Sequence, residues 1–136
     1  MNQSENGGPS GQMIVSYTRA QAIADGQLID VTKTAKEAGW TFPVAVTASV
    51  WGRCVAIPEG VIGQDEQGRL WDVVYMGALG VRANRGTPTS RMSFRVCVRN
   101  DNRSRRNGPP AVALVAVVGP GDNGEPVVTI MEPGED

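Results

Sequence analysis

The second half of the chain gathers several of its arginines into one short segment. Four guanidinium groups fall within eight residues, at Arg99, Arg103, Arg105 and Arg106. A guanidinium presents a planar fork of donors that can bind a phosphate or a carboxylate through two hydrogen bonds. The segment therefore predicts a loop that clamps phosphate or an acidic protein surface. The alternative interpretation is a solubilising hairpin tip.

Three further arginines, Arg82, Arg85 and Arg91, precede this loop and are expected to extend the patch. Between residues 67 and 110 there are nine arginines against two acids, whereas residues 111–136 carry five acids and no base. A segment this basic attracts anionic partners. The alternative is that the flanking acids fold back and neutralise it.

Carboxylates and aromatics supply the other candidate residues. The pairs Asp65–Glu66 and Asp122–Glu125 have the composition of a divalent-ion site or of an acid and a base, but their spacing is equally typical of solvated turns. We retain Asp122 and Glu125 as candidates. The tryptophans and tyrosines are expected in or near the core. Trp71, if exposed beside an arginine, would stack on a base or anchor a partner.

Several catalytic chemistries are poorly supported by the composition. The chain contains no histidine, which excludes catalytic triads that use an imidazole and removes the commonest metal ligand. Cys54 and Cys97 stand alone, so no zinc-ligand spacing exists, and we expect two free thiols rather than a disulfide. No phosphate-binding loop ending in Gly-Lys-Ser or Gly-Lys-Thr occurs. The sequence predicts a binding protein without cofactor or metal, and a histidine-free enzyme acting on nucleotides is the alternative.

The first half of the chain shows mainly helical signals. Thr18 and Gln21 form a capping-box pattern that predicts a short helix ending at Gly26, and a second helix is expected to end at Gly39. Short strands are predicted at residues 13–16, before the first helix, and at residues 28–31, between these two helices.

A third helix is predicted after Pro43. Its apolar residues recur at three- and four-residue steps, at Val44, Thr47, Val50, Trp51 and Cys54. Their β-branched side chains also favour a strand, so that alternative stays open. A fourth helix is predicted from Leu70 to the vicinity of residues 82–86.

The second half changes to the period of a strand. Residues 92–98 alternate apolar and polar side chains, and residues 111–118 and 127–131 are apolar runs between turns. We therefore predict an α+β fold in which a helical N-terminal half packs on a C-terminal antiparallel β-meander of three or four strands. Residues 1–12 are predicted to be a disordered tail and residues 13–136 a single domain. With no export signal or membrane span, a cytoplasmic location is expected.

Three blocks of the sequence resemble one protein family. They are YTRAQAIADG near the start, PVAVTASVW in the middle and GPGDNGEPVVTIMEPGED at the end. These blocks resemble a domain-of-unknown-function family of small uncharacterised proteins from phages, plasmids and integrative elements. The resemblance carries no catalytic motif, and it covers the arginine loop least well.

The resemblance implies a role in opposing host defence. Small accessory proteins of mobile elements often do so by capturing a nucleotide-derived immune signal, which we place first, or by blocking a defence protein. A nucleic-acid-binding accessory protein is a further alternative, although the arginine segment lacks the interleaved aromatics that bind single strands. The expected partners are thus a nucleotide signal or a host defence protein, with a homo-oligomer allowed and no membrane involved.

Overall fold

The computed structural model describes residues 17–136. The first half of this part alternates short helices and strands, in the order α1 (Arg19–Ala24), β1 (Leu28–Asp30), α2 (Thr32–Ala38) and β2 (Val44–Thr47). A single helical turn, α3 (Ala48–Val50), follows β2 directly and continues as a π-helical turn (Trp51–Val55).

The second half holds one long helix and three strands. They are α4 (Glu66–Ala83), β3 (Arg91–Cys97), β4 (Ala111–Pro120) and β5 (Pro126–Met131). Among the described residues, no helix is both long and apolar enough to cross a membrane.

The five strands form one mixed sheet in the order β1-β2-β5-β4-β3. Neighbouring strands are antiparallel except β2 and β5, which run parallel with Val44 opposite Val128 and Val46 opposite Ile130. The predicted arrangement, a helical N-terminal half on a three- or four-stranded antiparallel meander, is therefore wrong. The first half contributes two strands of the sheet, and one of them lies parallel to the last strand of the chain.

The error has its origin in the segment after Pro43. The three-residue spacing predicted a helix there, but Val44, Ala45 and Val46 are buried on both faces of a strand. Consecutive buried residues are typical of a strand covered on both sides. Only from Thr47 onward does the chain turn helical, where the Thr47 hydroxyl accepts a hydrogen bond from the Val50 backbone amide at 3.1 Å.

Other local predictions agree with the structure. Thr18 and Gln21 form the predicted reciprocal capping box at the start of α1, with hydrogen bonds of 3.0 and 2.8 Å. Gly39 ends α2 in the left-handed conformation, at φ 111°. Strand β3 alternates exposed and buried residues along its whole length, as predicted. The predicted tail at residues 1–12 and the short strand at residues 13–16 lie outside the described residues.

Helix α4 lies close against the sheet because two of its residues lack side chains. A Cβ atom on Gly77 would lie 3.0 Å from the Trp40 ring and 3.3 Å from the Phe94 ring. A Cβ atom on Gly80 would lie 3.0 Å from the Met92 methyl group. These glycines cost the helix about 1 kcal/mol each relative to alanine. They allow α4 to pack on β3, which fixes the end of the helix beside the start of that strand.

Candidate ligand-binding site

A cavity of about 270 Å³ lies between the C-terminal end of α4 and the start of β3. Its apolar part is formed by side chains from four separate elements or their flanks, namely Trp40, Val81, Met92, Ala116 and Val118. Its polar part comes from the connection between α4 and β3. The cavity exists because the sheet brings β3 and β4 next to the helix end, which no local pattern in the sequence indicates.

Three of the predicted arginines line this one cavity. Arg82 and Arg85 belong to the end of α4 and the residues after it, and Arg91 is the first residue of β3. All three are exposed at their positions. Within residues 17–136, neither Arg82 nor Arg85 forms an ion pair, whereas Arg91 pairs with the carboxylate of Asp136. That contact lowers the pKa of Asp136 below its ordinary value.

Trp40 forms part of the wall of the cavity and is held in place. Its indole Nε1 donates a hydrogen bond to the carbonyl oxygen of Val74 at 2.8 Å, and the ring is half-buried. The indole is thus oriented by α4 before any ligand arrives. The sequence indicated only a core tryptophan here, because the approach of Trp40 to Arg82 and Arg85 depends on how α2 packs on α4.

Trp71 does not belong to this cavity. It lies on α4 about 16 Å along the helix from Arg82, at 1.5 Å per residue. There it stacks on Tyr75, with ring centroids 5.6 Å apart and an interplanar angle of 16°. Trp71 is therefore not brought together with the predicted cavity arginines.

Two members of the arginine loop have internal partners. Arg105 donates two hydrogen bonds to Asp101, at 2.7 and 3.0 Å, and these contacts help to lower the pKa of Asp101 to about 2. Arg99 donates to the carbonyl oxygens of Asp101 and Ile62. These two guanidinium groups hold the loop on itself and on the segment before α4.

The other two loop arginines have a different environment. Arg103 and Arg106 are exposed, and neither forms an ion pair within residues 17–136. The predicted loop of four binding arginines is thus divided: two guanidinium groups are used internally and two point to solvent. None of the four lines the cavity at the start of β3.

Asp122 and Glu125 have structural roles. The Asp122 carboxylate accepts hydrogen bonds from the backbone amides of Arg19 and Ala20, at 2.8 and 3.0 Å, and so caps the first turn of α1. Glu125 accepts from the backbone amide of Asn123 within the β4–β5 turn, at 2.9 Å. Among the described residues, no group of three or more potential metal ligands includes either pair of candidate acids.

The sequence-based prediction also missed Arg69, which is only 5% exposed. Its guanidinium donates to the carbonyl oxygens of Cys54 at 3.1 Å, Arg99 at 2.7 Å and Arg53 at 3.4 Å, and to the Asn100 side chain at 2.7 Å. Burial lowers its pKa, yet arginine stays charged in proteins. The spacing of Arg69 could have indicated that it faces inward, because it lies four and eight residues before the inward-facing Val73 and Gly77.

The two cysteines are free, as predicted. Cys97 is exposed on β3, whereas Cys54 is buried, and burial raises the pKa of the Cys54 thiol to about 11. A thiol with such a pKa stays protonated at neutral pH and is a poor nucleophile.

Comparison with known proteins gives a family but no described activity. The model of a family of unknown function, DUF6573, matches residues 5–136 of this sequence. The chain belongs to that family. No curated protein and no solved structure matches the chain. The resemblance to a domain-of-unknown-function family is therefore confirmed, and the functional interpretation depends on the geometry of the site.

Proposed function

We propose that the protein is a non-catalytic binder of a small nucleotide-derived anion, held in the cavity between α4 and β3. One observation carries the proposal: Arg82, Arg85 and Arg91 surround a single cavity whose wall is apolar and contains an indole. Guanidinium groups bind phosphate through paired hydrogen bonds. An aromatic ring and a thioether beside them suit a nucleobase.

The dimensions of the cavity limit the ligand. Its volume of about 270 Å³ lies just below the range of ligand pockets, roughly 300–1,000 Å³. A mononucleotide, or one half of a dinucleotide, is the expected occupant. Arg91 would exchange the Asp136 carboxylate for a phosphate oxygen, while Arg82 and Arg85 have no acid to release within the described residues.

Binding without turnover fits the chemistry of the lining. The described residues that line the cavity include no aspartate, glutamate or cysteine. The described lining therefore holds no carboxylate or imidazole base that could activate its serine and threonine hydroxyls as nucleophiles. The side chains of Asn84 and Thr89 already bond the backbone of Gly80 and Arg91. The hydroxyls of Thr87 and Ser90 are suited to hydrogen bonding with a sugar or a base.

The proposed biological role follows from the resemblance to proteins of phages, plasmids and integrative elements. Capturing a nucleotide signal would keep it from a host defence effector and would protect the element inside the bacterial cytoplasm. Direct inhibition of a defence protein is the second candidate. It is favoured by the exposed Arg103 and Arg106, which are available to an acidic protein surface.

The test measures binding of defined nucleotides to the full chain. Cyclic mononucleotides, cyclic dinucleotides and ADP-ribose are each titrated by calorimetry and thermal shift, with inorganic phosphate as the reference anion. We expect one nucleotide class to bind and to be recovered intact after denaturation. Chemical alteration of the ligand would identify an enzyme instead, and binding no tighter than that of phosphate would overturn the proposal.

Matched variants assign the site. Replacing Arg82 and Arg85 with alanine should weaken nucleotide binding at least about tenfold per lost charge-assisted contact, that is about 1.4 kcal/mol each. The control variant, Arg103→Ala with Arg106→Ala, removes the same charge and should leave nucleotide affinity within about twofold, because exposed distant charges contribute little. Equal losses in both variants would indicate non-specific attraction.

The same pair of variants distinguishes the alternatives. A defence-protein inhibitor would co-purify with its target. It would lose the target when Arg103 and Arg106 are replaced with alanine, but not when Arg82 and Arg85 are. A nucleic-acid binder would retard DNA or RNA in a gel, with an affinity that falls steeply with salt. Either result without nucleotide binding would replace the proposal.

A further inference from the structure

The outward side of α4 carries apolar side chains that the rest of residues 17–136 leaves partly exposed. Trp71, Tyr75 and Met76 are 36–38% exposed, and Leu79 is half-buried beside them. Steps of three and four residues place these side chains along one side of the helix. We refer to Trp71, Tyr75, Met76 and Leu79 as the α4 face.

The α4 face continues onto the edge of the sheet. Met76, Leu79 and Ala83 form one wall of a shallow apolar depression, and Phe94 and Arg95 of β3 form the other. Strand β3 is the edge strand on this side. Contiguous exposed apolar surface that includes aromatic residues and methionine is typical of a protein-binding surface.

Charge on this surface is separated along the helix axis. Asp72 lies on the N-terminal part of α4, and burial raises the pKa of its carboxyl group above the ordinary value. Arg95 lines the depression beside Met76 and Leu79, nearer the other end. Within residues 17–136, neither Asp72 nor Arg95 takes part in an ion pair.

These observations identify one occupant by charge complementarity. We propose that the α4 face binds the α4 face of a second copy of this chain, with the two helices antiparallel about a two-fold axis. A two-fold axis makes the surface self-complementary, since each contact occurs twice. It would bring the Asp72 of each copy towards the Arg95 of the other. Arg82 is less suited to this role because its guanidinium is turned towards Gly39.

The expected dimer is weak. One helix and a strand edge bury less surface than a standard interface of about 1,600 Å². We therefore expect a dissociation constant in the micromolar range, so that light scattering and sedimentation detect a dimer at about 100 µM that dissociates on dilution. A wild-type chain that stays monomeric up to about 200 µM would overturn the proposal, and would leave the surface to residues 1–16 or to a different protein.

A charged substitution within the apolar surface locates the interface. Met76→Glu should weaken the dimer at least about tenfold, because it places a charge at the centre of the apolar surface. The matched control is Ile62→Glu, at a residue that is 71% exposed outside the α4 face, and it should dimerise like the wild type. Circular dichroism melts of both variants verify that each is folded. An unchanged dimer with Met76→Glu would place the interface elsewhere and overturn the proposal.

A charge exchange tests the orientation. Asp72→Lys and Arg95→Glu should each weaken self-association, since each creates two like-charged contacts in a dimer with itself. A mixture of the two variants restores both opposite-charge contacts, and we expect heterodimers in native mass spectrometry. If the mixture stays monomeric, the antiparallel pairing is wrong. None of these variants alters Arg82, Arg85 or Arg91, so nucleotide binding is read separately.

Discussion

The two ends of strand β3 carry arginines with opposite uses. At its start, Arg91 joins Arg82 and Arg85 around a cavity, and the latter two have no acidic partner among the described residues. Beyond its other end, Arg99 and Arg105 bind carbonyl and carboxylate groups of the protein itself. The density of arginine in the sequence therefore does not show which guanidinium groups have internal partners. The groups that the fold brings next to each guanidinium decide this.

The buried Arg69 is a further arginine with internal partners at the loop end of β3. It connects this end of the strand to the rest of the protein. Its guanidinium links the π-helical turn to the first residues of the loop through Arg53, Cys54, Arg99 and Asn100. Arginine at the loop end thus acts as a structural connector. At the cavity end, Arg91 pairs with Asp136, whereas Arg82 and Arg85 form no ion pair within residues 17–136.

The largest effect is expected from breaking that connector. Arg69→Met should lower the free energy of unfolding by about 2–4 kcal/mol, because the buried carbonyl oxygens lose charge-assisted donors without replacement. Chemical denaturation measures the change. The control is Arg106→Met, which removes an exposed arginine and should shift stability by less than about 0.5 kcal/mol. Similar values for the two variants would show that Arg69 is not a connector.

A smaller effect is expected at the cavity end. Asp136→Asn removes the charge that competes for Arg91 and should tighten nucleotide binding about two- to threefold, as expected for an exposed ion pair. Calorimetry at low salt measures the gain, which should shrink as salt screens the pair. Glu135→Gln is the control, because it removes an equal charge from a neighbouring carboxylate that contacts Thr47 and the Glu132 amide rather than Arg91, and the amide oxygen of glutamine can keep those contacts. Weaker binding by Asp136→Asn would mean that the carboxylate contributes to the site.

The smallest effect concerns the loop and depends on pH. Arg105 and the Arg103 amide lower the pKa of Asp101 to about 2, so ionised Asp101 stabilises the folded state. This stabilisation is fully present above the ordinary aspartate pKa of about 4, and it is lost as the pH falls towards 2. Asp101→Asn should therefore melt slightly below the wild type at pH 6, and the difference should vanish near pH 2.

Asp101→Asn should leave nucleotide binding at the other end of β3 unchanged. Its partners lie at the loop end of β3, so nucleotide affinity at the cavity should stay within about twofold of the wild type. A larger change in affinity would show that the two ends of the strand are energetically coupled. A melting difference that grows towards low pH would mean that Asp101 does not stabilise the loop as an anion.

The fold could be predicted where the signal was local. The capping box at Thr18, the left-handed Gly39 and the alternation of β3 were each readable from a few neighbouring residues. The segment after Pro43 was not, because Val44 and Val46 become a strand by pairing with Val128 and Ile130, more than 80 residues away. Strand formation depends on partners and burial more than on intrinsic preference.

The composition sets the available side-chain chemistry: many arginines, no histidine and two isolated cysteines, which suits the binding of anions and excludes imidazole-based catalysis. Which of these arginines have internal partners depends on the tertiary structure. A guanidinium satisfied by carbonyl oxygens, as at Arg69, and one facing a cavity, as at Arg85, are the same residue in the sequence. They differ in the acceptors that distant segments bring within hydrogen-bonding distance, and that distance is a property of the folded chain.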